Sequence, residues 1–379
     1  MKAGAILAIF LILLILLIMF YSPAISFIET QFNGNSSETI DVRSVEVNYS
    51  LENALNSYGN MGKGWTGSDG TYHITLPNGT VLWIFDDTFY RDMLPNGTRG
   101  DLSSLMRNSM VLEKNGTFYE TLTSGVPVNN NLAYFPDPTQ YQWYWPGPGE
   151  ISGNRIEILL GLYSSYGSNP LDIKFQVTYL GIINESTLDL EKIILISNSQ
   201  INWSQWVLHI NNTTYIYGIG NGTSSMYVAR VNGTDLEGNW SYYDGGGWSV
   251  DQSSAVSVFN RVAAGFSVAS FDSEYILFTS NVSVPYGIFN GQIIGYISSN
   301  PVVNFTHGTT IYTAPQISKY QSCSVWTYGP HVQFSYSSEI ILSYDVNTLN
   351  LSCQHNPSIY RPRFINIYLN ISNSSNKLF

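Results

Sequence analysis

Short apolar runs alternate with turn residues along most of this 379-residue chain. A strand, a tight turn and a second, more apolar strand occur five times, starting at Tyr72, Glu150, Gln205, Phe266 and His331. The turns are rich in Asn, Gly, Ser and Asp, which is typical of β-hairpins. No segment shows convincing helical periodicity, so the pattern predicts an all-β protein.

A third strand follows each hairpin after a longer loop, and in most repeats a fourth strand follows the third. Equivalent positions in the five repeats are Trp83, Ile158, Tyr215, Tyr275 and Ile340, which lie 75, 57, 60 and 65 residues apart. Four-stranded antiparallel units of about 60 residues are typical of propeller blades, which leave only short, protected edges. We therefore predict a five-bladed β-propeller over residues 51–372, with a two-sheet sandwich as the alternative.

The fifth repeat has three evident strands, which leaves one edge of its sheet without a partner. The segment SVEVNYS, from Ser44, has the composition of a strand. We predict that it pairs with residues near 364–369 and closes the ring. Residues 27–50 would then be a linker and closing strand, and residues 373–379 a C-terminal tail.

An uncharged apolar run covers residues 3–21, directly after Lys2. It is longer than the roughly 7–15 residues of a signal-peptide core and close to the roughly 20 that span a bilayer. Residues 1–26 are therefore predicted to be a signal peptide or a retained transmembrane helix that contacts the membrane. The rest of the chain would be extracellular, either secreted or anchored at the cell surface.

About seventeen Asn-X-Ser/Thr sequons occur in the chain. Several fall in predicted short turns, where a glycan can be attached, as at Asn78, Asn115, Asn211 and Asn212. This placement favours N-glycosylation over chance. Cys323 and Cys353 are the two cysteines, and in an oxidising compartment such a pair predicts one disulfide rather than a metal site.

Charged residues make up 11% of the chain and the formal net charge is −11, so nucleic acid is not expected as a partner. The 27 Tyr and 9 Trp suit a carbohydrate partner, because aromatic faces stack on sugar rings. No P-loop, dinucleotide fingerprint or serine-nucleophile elbow is present, and the five His form no zinc-ligand pattern. No cofactor or metal is therefore expected.

Four segments are similar to the DUF5005 and DUF4185 families of secreted proteins: GWTGSDGTYHITLPNGTVLWIFDDTFY from Gly64, MRNSMVL from Met106, MYVARVNGTDLEGNWSYYDGGGWS from Met226 and YRPRFINIYL from Tyr360. The resemblance spans about residues 60–370 and implies a five-bladed propeller of the kind used by furanosidase-type glycoside hydrolases. Members more often carry Gly-Asp where this chain has Asp86-Asp87, which makes Asp87 the matching acid.

Propeller topology puts the longer loops on one rim, which we call the loop side, and the hairpin turns on the other, the hairpin side. Acidic residues expected on the loop side are Asp69, Asp86, Asp87, Glu150 and Asp345. Glycoside hydrolysis needs one protonated and one ionised carboxyl group. We predict Asp69, Asp87 and Glu150 as catalytic residues, with Arg107 keeping one carboxylate ionised.

Further residues near the starts of the blades are predicted to bind substrate: Arg107, Asn108, Trp145, Trp206, Tyr328 and His331. The alternative for the aromatic residues at the blade entries is that they pack between blades: Trp145, Trp203, Trp206, Trp326 and Tyr328. Arg361 and Arg363 would bind an acidic sugar or, alternatively, the loops of blade five. Two functions stay open, a surface glycosidase and a non-catalytic glycoprotein that binds glycans or envelope proteins.

Overall fold

The computed structural model describes residues 38–373, apart from 92, 101, 103–104, 125–131, 169–170 and 283–290. The N-terminal apolar run, predicted as a signal peptide or membrane anchor, lies outside these residues. Among the described residues, no helix has the length and apolar character needed to span a bilayer. Residues 39–372 pack into one unit.

The first large sheet is built around a hairpin whose second strand, VLWIF, is buried at every position. Gly79 has a φ of +79° in the turn of this hairpin, a conformation that favours glycine. The elements up to residue 122 are β1 (Glu38–Val47), α1 (Tyr49–Asn60), β2 (Trp65–Ser68), β3 (Tyr72–Thr75), β4 (Val81–Phe85), β5 (Thr88–Tyr90), β6 (Leu105–Met106), β7 (Ser109–Lys114) and β8 (Thr117–Leu122). The first sheet has the order β3-β4-β7-β8, and β2-β5-β6 form a small separate sheet.

Two antiparallel sheets follow, with four and five strands. Their strands are β9 (Gln142–Ser152), β10 (Arg155–Ser165), β11 (Ile173–Asn184), β12 (Leu190–Ser197), β13 (Ile201–Ile210), β14 (Thr213–Gly220), β15 (Met226–Asn232), β16 (Ser241–Tyr243) and β17 (Trp248–Ser249). The second sheet has the order β12-β11-β10-β9 and the third the order β13-β14-β15-β16-β17.

The last two sheets have four strands each. Their elements are β18 (Ser267–Phe271), β19 (Glu274–Ser280), β20 (Gln292–Ser298), β21 (Thr306–Thr313), α2 (Gln316–Lys319), β22 (Trp326–Ser335), β23 (Ile340–Asn347), α3 (Leu351–Gln354) and β24 (Arg363–Asn373). The fourth sheet has the order β18-β19-β20-β21, and the fifth has the order β1-β24-β23-β22. The predicted all-β class and four-stranded antiparallel sheets are confirmed.

The first strand of each large sheet contacts the first strand of the next. The contacts run β3, β9, β13, β18, β22 and back to β3, so the five sheets form a ring. Apolar side chains fill the space between neighbouring sheets, as Ile84 and Ile158 do between the first and second sheets. Burial of these faces is the main favourable contribution to such a fold.

The predicted pairing of the segment around Ser44 with the last strand is confirmed, since β1 lies beside β24. Asn48 at the end of β1 donates its backbone N–H to the Phe364 carbonyl at 2.9 Å. The strand is longer than predicted, because it begins at Glu38. Tyr49 and Ser50, predicted as strand, instead begin a helix.

Helix α1 corrects the expectation that no segment is helical. The side chain of Asn48 accepts a hydrogen bond from the Leu51 N–H at 3.0 Å, which caps the first turn. Leu55 and Tyr58, three positions apart, are buried against Trp65 and Phe364. The helix therefore covers the junction of the first and fifth sheets.

The predicted disulfide is confirmed. Cys323 and Cys353 are bonded with their Cα atoms 5.9 Å apart. The bond ties the segment before β22 to α3, and so flanks the hairpin of the fifth sheet as expected. It stabilises the fold mainly by restricting the unfolded chain.

Because β1 closes the ring, a substitution in β1 should lower the stability of the protein where the replaced side chain is buried and not where it is exposed. Ile40 in β1 is only 6% exposed and packs with Ile311 of β21 in the core between the fourth and fifth sheets. Replacing Ile40 with Ala should lower the free energy of unfolding by roughly 2–4 kcal/mol, measured by denaturant titration. The neighbouring Asp41 is exposed, and Asp41→Ala should change it by less than about 0.5 kcal/mol. Equal stability of the two variants would show that β1 does not hold the ring.

Candidate functional site

A cavity of about 370 Å³ is lined by residues from the longer loops and the inner strands. Its size lies within the range of small-ligand pockets. Four acidic side chains line it: Asp69, Asp86, Asp87 and Asp345. They come from the first and fifth sheets, which meet where the ring closes. We call it the loop-side cavity.

The hairpin of β3 and β4 brings Asp69 and Asp86 together at its open end. The Asp86 backbone N–H donates to the Asp69 carbonyl at 2.9 Å. Gly70 lies between them with a φ of +61°, and a Cβ atom at this position would come within 2.2 Å of Asp86 Oδ2. Glycine is therefore required for the Asp86 carboxyl group to lie against the backbone at this position.

Asp69 is held by two tyrosines from the other end of the chain. Tyr360 donates its hydroxyl to Asp69 Oδ1 at 3.0 Å, and Tyr328 donates to Oδ2. Burial, followed by the charge of Asp87, raises the pKa of Asp69 to about 7. Asp69 can therefore exchange a proton near neutral pH.

Asp87 is the carboxylate with a cationic partner. Arg107 lies 3.3 Å from its Oδ2, and Trp145 Nε1 donates to its Oδ1 at 3.0 Å. Arg107 is itself positioned over the ring of Trp143, 4.2 Å from its centroid. Burial raises the pKa of Asp87, while the Arg107 charge and the Trp145 hydrogen bond oppose that rise and favour the ionised form.

Asp86 has neither a cation nor a hydrogen-bond donor on its buried Oδ1. Burial, and then the charges of Asp69, Asp87 and Asp345, raise its pKa well above the ordinary value. Asp86 therefore keeps its proton and can donate a hydrogen bond. The family resemblance had favoured Asp87 over Asp86, and adjacency in the sequence alone gives no sign of their different environments.

Asp345 has a structural place in the site. It is fully buried within β23, not after it as predicted, and accepts from the Gly70 N–H and the Thr71 hydroxyl, each at 3.0 Å. These bonds join the fifth sheet to the first directly beneath the cavity. Within the described part of the chain, no group of three His, Cys, Asp or Glu side chains is placed to hold a metal ion.

His331 offers a hydrogen-bond acceptor to the cavity. Its Nδ1 lies 2.9 Å from the Thr71 carbonyl, so this nitrogen carries the proton and Nε2 carries the lone pair. Nε2 is buried and has no partner among the described residues. Burial lowers the pKa of His331 to about 3, so the ring is neutral.

Aromatic side chains provide the apolar part of the lining. Trp145 and Tyr163 pack with their ring centroids 4.5 Å apart, and Trp326, Tyr328 and Phe89 also line the cavity. Such rings can stack on the apolar face of a sugar. Two tyrosines not predicted from the sequence, Tyr163 and Tyr360, thus contribute to the lining.

Several predicted residues are brought together here: Asp69, Asp87, Trp145, Tyr328 and His331 line the cavity, and Arg107 reaches it through Asp87. Asn108 does not line it. Its amide bridges the backbone of Phe135 and Tyr144, donating to both carbonyls and accepting from the Phe135 N–H. Its position supports a structural role and not the predicted substrate contact.

Glu150 and Trp206 lie away from the predicted site. The sequence placed the start of blade two at Glu150, but β9 begins at Gln142, so Glu150 sits at the other end of the strand beside the hairpin turn. The two prolines in WPGPG hid the first half of this strand, because proline is rare within sheets. Likewise β13 begins at Ile201, which moves Trp206 to mid-strand.

Both residues line a second cavity of about 380 Å³, which we call the hairpin-side cavity. Tyr72 lines both cavities. The rings of Tyr72 and His331 stack with centroids 4.1 Å apart, and Trp206 lies 5.9 Å from His331. These three rings lie between the two spaces.

The remaining candidates have structural partners, although those of Arg361 are not the loops of the fifth sheet that were expected as the alternative. Trp203 is fully buried and packs on Trp240 and Tyr242. Arg361 donates to the Thr66 carbonyl and to side chains of α1, and Arg363 donates to the Ser358 carbonyl. Neither arginine lines the loop-side cavity.

The profile of a family described as Domain of unknown function (DUF5005) matches residues 52–370. The chain belongs to this family. The resemblance predicted from the sequence motifs is thereby confirmed. No curated protein matches the sequence.

Solved structures similar to this DUF5005 member include a candidate hydrolase from Bacteroides ovatus ATCC 8483. The two chains are 18% identical with a TM-score of 0.69, over 89% of this chain and 94% of the other, which shows a shared fold. A family 43 arabinoxylan arabinofuranohydrolase from Bacillus subtilis, in complex with cellotetraose, is 14% identical with a TM-score of 0.48, over 81% and 63%. A GH43_1 enzyme from Xanthomonas citri, complexed with xylotriose, is 11% identical with a TM-score of 0.42, over 87% and 98%.

Replacing Glu150 should stabilise the folded protein, and the size of this gain should depend on pH. Burial raises the pKa of Glu150 to about 7, so the folded protein binds this proton more tightly than the unfolded chain does. The stabilisation from the proton is complete below the unfolded pKa, about 4.3, and is lost as the pH rises through about 7. Glu150→Gln should therefore raise the free energy of unfolding at pH 8 by roughly 1–3 kcal/mol, measured by denaturant titration. The gain should shrink towards pH 4, and an equal gain at both pH values would contradict the assignment.

Proposed function

We propose that this DUF5005 chain is an extracytoplasmic five-bladed propeller that binds carbohydrate in the loop-side cavity and hydrolyses a glycosidic bond there. The observation that carries the proposal is a set of neighbouring carboxyl groups in unlike environments within one aromatic-lined cavity. Asp87 is paired with Arg107, whereas Asp69 and Asp86, both partly buried, form no ion pair with a residue that the structure describes. A glycosidase needs this division between an ionised and a protonated carboxyl group.

Asp69 and Asp87 are the proposed catalytic pair. Asp69, with a pKa of about 7, donates the proton to the leaving oxygen. Asp87, kept ionised by Arg107, attacks the anomeric carbon or activates a water molecule. Asp86 stays protonated and donates a hydrogen bond to a sugar hydroxyl, while His331 Nε2 accepts one.

Glycan binding without hydrolysis is the second candidate function, and the distribution of acids favours it. Among the described residues, no carboxyl group from the second, third or fourth sheet lines the cavity. Glu150, which would have supplied one, lies in the hairpin-side cavity. Hydrolysis requires carboxyl groups on both sides of the scissile bond, so the acids of the first and fifth sheets would have to flank the sugar by themselves.

An extracytoplasmic location agrees with three features of the chain. The N-terminal apolar run is a signal or anchor by sequence, and Cys323 and Cys353 form a disulfide. Asn78 and Asn115 are exposed in hairpin turns, away from the loop-side cavity. Glycans at these positions would leave that cavity accessible.

Replacing Asp87 with Asn should remove the ionised carboxylate of the proposed catalytic pair. The hydrolysis rate, measured on a panel of aryl glycosides and oligosaccharides, should fall by about 10²–10⁴-fold. Asp86→Asn is the matched control, because an amide also donates a hydrogen bond, and it should lower the rate less. The wild-type rate should fall as the pH rises through about 7, where Asp69 loses its proton. Saturable glycan binding without turnover by the wild type would support the binding-protein alternative, and absence of both would overturn the carbohydrate assignment.

Glycosylation should follow exposure and not the sequon alone. In a host that attaches N-glycans, glycopeptide mass spectrometry should find glycans on Asn78 and Asn115, which are exposed in turns. Asn202 provides the internal control, because it lies in a sequon but is only 3% exposed and bonded to Tyr163. Unmodified Asn78 and Asn115 would contradict the glycoprotein proposal.

A further inference from the structure

We propose that the hairpin-side cavity is a second ligand site, which takes an amino sugar and pairs its ammonium group with Glu150. This proposal does not depend on the function of the loop-side cavity. The cavity holds about 380 Å³, within the range of small-ligand sites, and Glu150, His73, Trp206 and Gln333 contribute to its lining.

Glu150 forms no ion pair with any residue that the structure describes. Arg155 is the basic residue at the adjacent hairpin turn, and it is bonded to Glu157 at 3.0 Å and to Glu237 at 2.8 Å. Of the described residues that line the cavity, none is Lys or Arg. A partly buried carboxylate left unpaired in this way is stabilised by a ligand that brings a positive charge.

His73 adds a hydrogen-bond acceptor whose tautomer is fixed. Gln333 is buried and its amide nitrogen donates to the Thr71 carbonyl at 3.0 Å and to the Ser343 hydroxyl at 2.8 Å. Gln333 Oε1 must therefore accept from His73 Nδ1, 2.9 Å away. His73 Nε2 consequently keeps its lone pair, and burial lowers the pKa of the ring to about 4, so the ring is neutral.

Trp206 gives the cavity a fixed aromatic surface. Its Nε1 donates to the Val268 carbonyl at 2.8 Å, and its ring stacks against His331. An indole held in this way can contact the apolar face of a sugar ring and attract a nearby cation. Together the cavity offers a carboxylate, a neutral acceptor nitrogen and an aromatic surface.

These groups select the chemical class of the ligand. An anion is disfavoured, because it would meet Glu150 and, among the described lining residues, no Lys or Arg to compensate. A neutral sugar would leave the carboxylate without a charged partner. An amino sugar supplies an ammonium group for Glu150, hydroxyl donors for His73 and an apolar ring face for Trp206.

The test is calorimetric titration of the full chain with glucosamine, with N-acetylglucosamine as the uncharged control. Glucosamine should bind saturably, and both acetylation and the Glu150→Gln substitution should weaken binding by at least about tenfold. Asp87→Asn should leave this binding unchanged, because Asp87 lines the other cavity. A thermal melt of the Glu150→Gln protein confirms that any loss is not due to unfolding.

Three results would overturn the proposal. One is the absence of saturable glucosamine binding to the wild-type chain. Another is binding at a different site, shown either by undiminished binding to the Glu150→Gln protein or by loss of binding in Asp87→Asn. The third is equal affinity for n-butylammonium, which carries the charge without the sugar ring and would rule out an amino-sugar site.

Discussion

Hydrogen bonds around Thr71 hold the first and fifth sheets together, and the loop-side cavity is built on that junction. Thr71 is fully buried, its carbonyl accepts from His331 Nδ1 and Gln333 Nε2, and its hydroxyl donates to Asp345. Asp345 also accepts from the Gly70 N–H, across 275 positions of sequence. Unmade hydrogen bonds at such buried groups would each cost about 1–3 kcal/mol, so the junction tolerates few other arrangements.

The same junction explains the unusual electrostatics of the site. Because Gly70 and Thr71 are fixed by Asp345, the flanking Asp69 and Asp86 are drawn into the interior beside it. Four carboxyl groups then share a small region in which Arg107 is paired with Asp87. Buried acids that lie close together cannot all be ionised. The hydrogen-bond and ion-pair partners of each acid therefore decide whether it is protonated, since the residue type is the same.

Features governed by local periodicity could be predicted from the sequence, including the hairpins, the closing strand and the disulfide. The sequence also placed Arg107 near the acids, but only the structure identifies Asp87 as the carboxylate that it pairs with. The start of β9 could not be predicted, because the prolines of WPGPG mask a strand that is held by its neighbours, and the functional placement of Glu150 failed with it. Helix α1 was missed because its stability comes from burying Leu55 and Tyr58 on other elements, which tertiary contacts decide.

The loop-side cavity forms when the first and fifth sheets come together and close the ring. The loop-side cavity takes Asp69 and Asp87 from the first sheet, and Tyr328 and Asp345 from the fifth, so no contiguous part of the chain can assemble it. Contacts of such long sequence separation form late, because the loop-closure entropy must be overcome first. The hairpin-side cavity is lined by the same five sheets, since His73 of the first sheet and Gln333 of the fifth join Glu150 of the second in its wall. The two cavities therefore share the Tyr72 ring and depend on the same junction of the first and fifth sheets, at which Gln333 bonds to both Thr71 and His73.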